Sequence, residues 1–429
     1  MTYDQTDAPE ATVPEQTPPS PAGAIDLKDP DFHERPDQYD ILKYLRDHHP
    51  VYWNPEVNGR GFWAVTRFED VEAVTRRRDV FSSDYKRGGM RINDIDTFNP
   101  NPRPDIFNTD PPDHTVFRKA FQPLFTPEAV ATFRDRIRAR VRSRIAAMAP
   151  KGRADFVTEL ANPIVQGLLT DLLEVPESDG ELLMTWSNAL VGIDDPEYCP
   201  SFAYRAECVG ALDAYVAKLV AERQGSGCSD LITILTGLMI QGEKLDLDGF
   251  AESFATFIIA TNETARHTMT RAMIALEQFP AERDKMKADP ALIPAAVKEC
   301  VRWVSPLIHA RRTATADTEI AGQPIRAGDK VVIWYKSANR DERRWPDAMQ
   351  FRIDRYLDKT APAHIAFGSG INHCLGWRYA ELQIAVVFEE MYAALPDIKP
   401  SGPPNPIRSN FFAGIKSLDV EFTPVAYTA

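Results

Sequence analysis

The stretch from Gly249 to Phe279, GFAESFATFIIATNETARHTMTRAMIALEQF, contains no proline and no glycine after its first residue. Nothing in it breaks a helix, so it predicts one of roughly 45 Å at the usual rise per residue. Its first half is nearly all apolar, which leaves no face for water and sends the helix through the core. The rest of the chain must be assembled around it. Midway, Ala260 gives way to Thr261, Asn262, Glu263 and Thr264. Four polar side chains in such a place are costly unless they serve something, and an acid beside an alcohol is able to relay protons.

Helical patterns dominate elsewhere. Thr126 and Pro127 form an N-cap and first-turn pair. They open a helix with Val130, Phe133, Ile137, Val141 and Ile145 on one face. Arg134, Arg136, Arg138, Arg140, Arg142 and Arg144 occupy its other faces and read as a solvated surface, with a docking patch for an acidic partner as the alternative. A second mostly apolar helix spans 376–395. Strands are short. Residues 51–53 and 62–66 flank a turn at Asn58-Gly59, and 319–325 and 329–335 flank Arg326-Ala327-Gly328, so two hairpins are expected. Residues 1–25 are rich in Pro, Thr, Glu and Ala and predict a disordered tail. Residues 26–429 show neither a second linker nor an internal repeat and read as a single domain. Residues 80–108, polar and rich in Gly and Pro, suggest a mobile lid.

The chemistry concentrates in HIAFGSGINHCLGWRYAE, residues 364–381. A glycine-rich loop delivers Cys374 to the start of a buried helix, where free N–H groups and the helix dipole stabilise a thiolate. That is what a thiolate metal ligand requires. Gly368, Gly370 and Gly376 let backbone approach a flat ligand. A lone buried Cys is commonly structural; the spacing of Phe367, Gly370, Cys374 and Gly376 sets this one apart.

Composition removes other classes. A net charge of −13 opposes nucleic-acid binding. No apolar run reaches the roughly eighteen residues of a membrane span. Cys199, Cys208, Cys228, Cys300 and Cys374 are odd in number and widely spaced, against a disulfide framework or a zinc site. Without an export signal they point to a reducing cytoplasm.

On the 364–381 motif the sequence resembles the cytochrome P450 superfamily, in particular its soluble bacterial branch, from about residue 26 to the C-terminus. The resemblance implies a mainly α fold with small β-sheets, a triangular prism of about a dozen helices around a buried haem b whose iron is held by Cys374. Phe367, Gly368, His373 and Gly376 would border the haem. Glu299 and Arg302, three apart on one helix face, would join Arg355 in a buried ion network behind it. Glu263 and Thr264 would deliver protons to bound oxygen. His114 and Arg118, i and i+4 on a helix, would hold the propionates with Arg312, since a guanidinium suits a carboxylate. Two departures stand out. Thr261 occupies a position where the family commonly has Gly, and its hydroxyl can bond back to the carbonyl four residues earlier. Asn372 stands where the family has His or Arg on a propionate, so that either the amide substitutes or His373 turns inward.

The resemblance places Thr256, Ile259, Ala260, Leu307, Ile308, Phe411 and Phe412 around the substrate. Most are apolar, and no charge among them would pair with a carboxylate. The implied activity is monooxygenation of an apolar small molecule (alkane, terpenoid, sterol or aromatic) with O₂. No flavin or nicotinamide fingerprint is visible, so electrons are expected from a ferredoxin and its reductase. They would dock on a basic patch containing Arg118, Lys119, Arg378 and some of the helical arginines. A peroxide-driven peroxygenase on the same fold and a non-enzymatic haem sensor are the competing readings; Glu263-Thr264 argues against both.

Overall fold

The computed structural model describes residues 25–57, 59–94, 103–223 and 230–427. Most of the proposed N-terminal tail, Asn58, Cys228 and part of the proposed lid lie outside them. The elements used below are α1 (Phe68–Arg76), α2 (Asp113–Phe121), α3 (Pro127–Ala131), α4 (Arg134–Met148), α5 (Asn162–Leu173), α6 (Gly180–Val191), α7 (Phe202–Arg223), α8 (Leu247–Gln278), α9 (Ile293–Val304) and α10 (Trp377–Ala394). The strands are β1 (Val51–Asn54), β2 (Phe62–Val65), β3 (Phe81–Ser82), β4 (His309–Ala314), β5 (Thr318–Ile320), β6 (Gln323–Ile325) and β7 (Lys330–Trp334).

The long helix is α8. Asp246 caps it by accepting from Gly249 N at 2.8 Å, and Pro280 follows its end. Its two halves belong to different cores. Phe250, Phe254, Phe257 and Ile258 pack with α5, α6 and α7. Ala265, Met269, Met273 and Leu276 pack with α4, α9 and α10. Both ends of α8 are thus held by burial, each large side chain contributing about 1.5–3 kcal/mol, and the polar interruption falls between them.

The expected single helix after Thr126 is two. Thr126 does cap, accepting from Ala129 N at 3.2 Å. The turn then tightens: Thr132 donates through its hydroxyl to Ala129 O at 2.7 Å and through its N–H to the same carbonyl at 3.2 Å. These i→i−3 bonds end α3 before α4 begins. Val130, Ile137, Val141 and Ile145 are buried as expected. The arginines are a solvated face only in part: Arg136 and Arg142 are exposed, yet most of the six are paired. Arg138 and Arg142 reach Glu390 at 2.8 Å each, Arg134 reaches Glu389 at 3.0 Å, and Arg140 reaches Asp171 at 2.8 Å. They tie α4 to α10 and α5.

The first hairpin forms, with Val51 opposite Val65 and Asn54 opposite Phe62. The second is placed differently. Residues 319–325 are themselves most of a hairpin, β5 and β6, turning at Ala321 (φ 47°) and Gly322 (φ 82°). Two consecutive left-handed residues give the twist a two-residue hairpin favours. β7 instead lies between β2 and β4, parallel to the first and antiparallel to the second, in a sheet ordered β1-β2-β7-β4-β3. This register sets Arg312 opposite Val331.

Behind the helices, Glu299 and Arg302 form a fully buried pair at 2.7 Å, and Arg355 reaches Glu299 at 3.0 Å. Arg302 also donates to Asn339 O at 2.8 Å and Ala348 O at 3.0 Å. This geometry gives the expected network a structural role: it pins the segment leading to Phe367. Arg302→Leu leaves a buried carboxylate facing a diminished partner set and is expected to cost about 3–5 kcal/mol, read as a lower urea midpoint; an unchanged midpoint would refute it.

His309, on β4, lies between Trp334 and Phe411, with ring centroids at 5.0 and 5.5 Å. Burial holds its pKa down to about 3, from 6.5. Between those values the unfolded chain binds more protons than the folded one. Stability therefore falls as pH drops from 6.5 toward 3, by about 1.4 kcal/mol per pH unit. In His309→Gln the plot of unfolding free energy against pH is expected to be shallower across this window.

Candidate active site

Cys374 is set by the loop before α10. Its N–H donates to Phe367 O at 2.8 Å, folding the loop back on itself. Gly368 (φ 70°) and Gly370 (φ 62°) occupy left-handed backbone, and a Cβ on Gly368 would approach Asn372 O to 3.2 Å. Gly376 is different. It caps α10 with φ −85°, and an added Cβ would meet only Phe125, at 3.7 Å. The chain itself does not demand glycine there; the space it leaves opens on the cavity.

Burial pushes the Cys374 thiol up to about 11, while the N–H groups of Gly376 and Trp377 and the charge of Arg118 favour the thiolate. A cation bonded to sulfur would tip this balance. Above the sulfur opens a cavity of about 740 Å³. Phe367, Gly368, His373 and Gly376 border it near Cys374, with Thr261 and Thr264 on α8. Of the expected substrate positions, Thr256, Ile259, Ala260, Leu307, Phe411 and Phe412 line it. Ile308 does not. It is fully buried against Val332 and Trp334, behind the strand that leads into β4. None of the expected positions is charged, but the cavity extends beyond them and is lined there by Arg91, Arg103 and Arg205 together with Asp213, Asp248 and Glu252. Met90, Arg91 and Asn108, from the described part of the proposed lid, contribute to its wall.

His114 and Arg118, one turn apart on α2, both face the cavity, as does Arg312 on β4. Arg118 is anchored by donating to His373 O at 2.7 Å. Nothing in the sequence singles out Arg78. It follows α1 in an RRRD run that reads as ordinary surface, yet it is largely buried and pairs with Asp110. Asn372, with its amide oxygen turned toward them, accepts from Arg78 Nη1 at 2.7 Å and Arg312 Nη2 at 3.1 Å. The amide oxygen thus joins two guanidiniums.

Of these three guanidiniums, that of Arg78 pairs with the carboxylate of Asp110, which acts on Arg312 only through space, and Arg118 forms no ion pair among the described residues. Burial and mutual repulsion push Arg78 down to about 10 and His114 down to about 4. The Nε atoms of Arg78 and Arg312 lack hydrogen-bond partners. This excess of enclosed positive charge fits a dianion, and the bare Gly376 fits a flat body lying over Cys374. Haem b, with two propionates, meets both conditions.

Glu263 and Thr264 are adjacent but differently placed. Thr264 lines the cavity and donates to Ala260 O at 3.2 Å. The back-bond expected of Thr261 is thus made by Thr264. Glu263 is fully buried on another face of α8. It accepts from Ser187 at 2.7 Å, Arg266 at 2.6 Å and His267 at 3.0 Å. Despite burial, Arg266 and His267 hold its carboxyl at about 2.

The comparisons with known proteins agree with this geometry. The Cytochrome P450 family model matches residues 281–393. Linalool 8-monooxygenase of Pseudomonas putida is 36% identical over 405 residues, covering 93% of this chain and 99% of that one. The chain belongs to the cytochrome P450 family. A methyl-branched lipid omega-hydroxylase of Mycobacterium tuberculosis is 33% identical, covering 96% of this P450 and 98% of its own chain. A Mycobacterium marinum cytochrome P450 in complex with pseudoionone superposes with a TM-score of 0.86 at 32% identity, covering 96% of this P450 and all of that one. The fold is therefore the mainly α P450 fold, and haem b is the family's cofactor. When bound, it supplies the iron centre that activates O₂. No helix among the described residues of this P450 is long and apolar enough to cross a membrane.

Cys374 would hold the iron, and Arg78, Arg118, Arg312 and His114 the propionates. In Arg78→Leu, haem transfer to an apo-globin scavenger is expected to be several-fold faster, with Arg78→Lys intermediate. An unchanged transfer rate would remove Arg78 from the set.

Proposed function

We propose that this P450 monooxygenase places one oxygen atom of O₂ into a hydrocarbon position of an apolar or amphipathic small molecule, the other atom leaving as water with two electrons and two protons. The observation that carries the reading is that Cys374 and Thr264 line one cavity whose walls are mainly apolar. The relatives support this class of substrate through their names, a linalool monooxygenase, a branched-lipid hydroxylase and steroid C26-monooxygenases.

The chain's own residues have distinct tasks in this reading. The aliphatic wall at Ile259, Ala260 and Leu307 excludes water and orients the substrate. The Thr264 hydroxyl donates its proton to Ala260 O and turns an acceptor lone pair to the cavity; it gives a proton to the cavity side only when that bond to Ala260 breaks. Glu263, charged at neutral pH because Arg266 and His267 hold its pKa low, replenishes that proton only when its side chain leaves this network. Electrons come from an external ferredoxin. Most arginines of α4 are occupied by Asp171, Glu389 and Glu390, so its docking rests on exposed Lys119 and on Arg378, whose guanidinium stacks on Trp377 at 4.3 Å.

Thr264→Ala tests the reading. The reduced carbonyl complex keeps the long-wavelength Soret band of thiolate ligation, while product formed per O₂ consumed falls severalfold and peroxide rises. A peroxygenase would lose no coupling to O₂, having none, and a haem sensor would form no product in the parent enzyme. Either result would overturn the proposal.

A further inference from the structure

Along α8 the cavity wall is apolar at Ile259 and Ala260, between Thr264 and a charged region toward the start of the helix. The lining along that helix includes Glu252, Thr256, Ala260 and Thr264, a stripe spaced four residues apart. Glu252 and Thr264 are separated by roughly 18 Å of helix. Arg91 lies near the Glu252 end, where Glu252 and Arg205 both act on its charge. Its guanidinium carbon is 5.0 Å from the centroid of Phe411, a contact that orients a cation without neutralising it.

Arg91 is undercompensated. Glu252 and Asp105 act on it through space, and it forms no ion pair among the described residues. Asp105 is already engaged, accepting from Phe107 N at 2.6 Å and from the Asn108 side chain at 2.6 Å. Burial and Arg205 outweigh both acids and bring Arg91 down to about 10. It therefore stays protonated at neutral pH while facing an interior cavity.

We propose that Arg91 receives the carboxylate of an aliphatic carboxylic acid whose chain runs along α8 toward Thr264. This deepens the monooxygenase reading and rests on it for the fate of the chain; the carboxylate contact is a binding property that stands apart from turnover. With the acid end held at Arg91, the carbon nearest Cys374 is one remote from the carboxylate. The positions expected from the sequence gave no hint of this, because Arg91 reaches the cavity from the loop after β3.

The test uses purified holoenzyme and the Soret shift on titration with octanoic, dodecanoic and hexadecanoic acids, each against its methyl ester. At least one acid is expected to bind roughly tenfold tighter than its ester, the scale of one charge-assisted hydrogen bond. Arg91→Gln is expected to abolish that preference while leaving ester affinity unchanged, and Arg91→Lys to keep part of it. If no acid outbinds its ester, or if Arg91→Gln weakens acid and ester equally, the proposal is overturned. Failure of the monooxygenase reading would look different: intact selective binding with no oxygenated product.

Discussion

The structure depends on burying one long helix from both ends. The first half of α8 is enclosed by α5, α6 and α7 and the second by α4, α9 and α10. Neither half can rotate without exposing phenylalanines or methionines to water. The middle of the helix is consequently fixed without a local core of its own, and Thr264 can face an open cavity instead of a packed neighbour. A short helix would have spent its whole length on packing.

The second constraint is electrostatic. Three guanidiniums and a buried imidazole line the cavity or its edge beside the Cys374 loop, with Asp110 paired to Arg78. Such a cluster is unfavourable in isolation. It is held by the sheet register at Arg312, by the fold of α2 at His114 and Arg118, and by Asn372 joining Arg78 to Arg312. Fold energy is thus invested in a site that only a bound anion relieves. The same principle recurs on a smaller scale at Arg91.

Local chemistry made much of this legible in the sequence. The helix 249–279 could be read because apolar content and the absence of breakers coincide. Cys374 could be read because its glycines are spaced for a turn that positive φ at Gly368 and Gly370 then realises. Glu299, Arg302 and Arg355 met as expected. What escaped depends on contacts between distant segments. Arg78 and Arg91 look like surface residues until α1 and the loop after β3 are packed against the haem side. The arginines of α4 look solvated until α10 brings Glu389 and Glu390 beside them. Ile308 was one position out of phase, since alternate residues along an extended segment face opposite ways. The second hairpin was misplaced because two plausible turns, at 321–322 and 326–328, lie a few residues apart, and only sheet pairing distinguishes them.

The pairing of α4 with α10 has a consequence for how this protein meets others. The helix that begins beside Cys374 is braced from outside by guanidinium–carboxylate contacts that largely cancel one another. A visiting electron carrier would therefore encounter a rigid face of nearly balanced charge. Long-range attraction would be modest and short-lived within a Debye length of about 8 Å in physiological salt. Recognition would depend more on shape and close contact than on steering, and the encounter rate would change little as ionic strength rises.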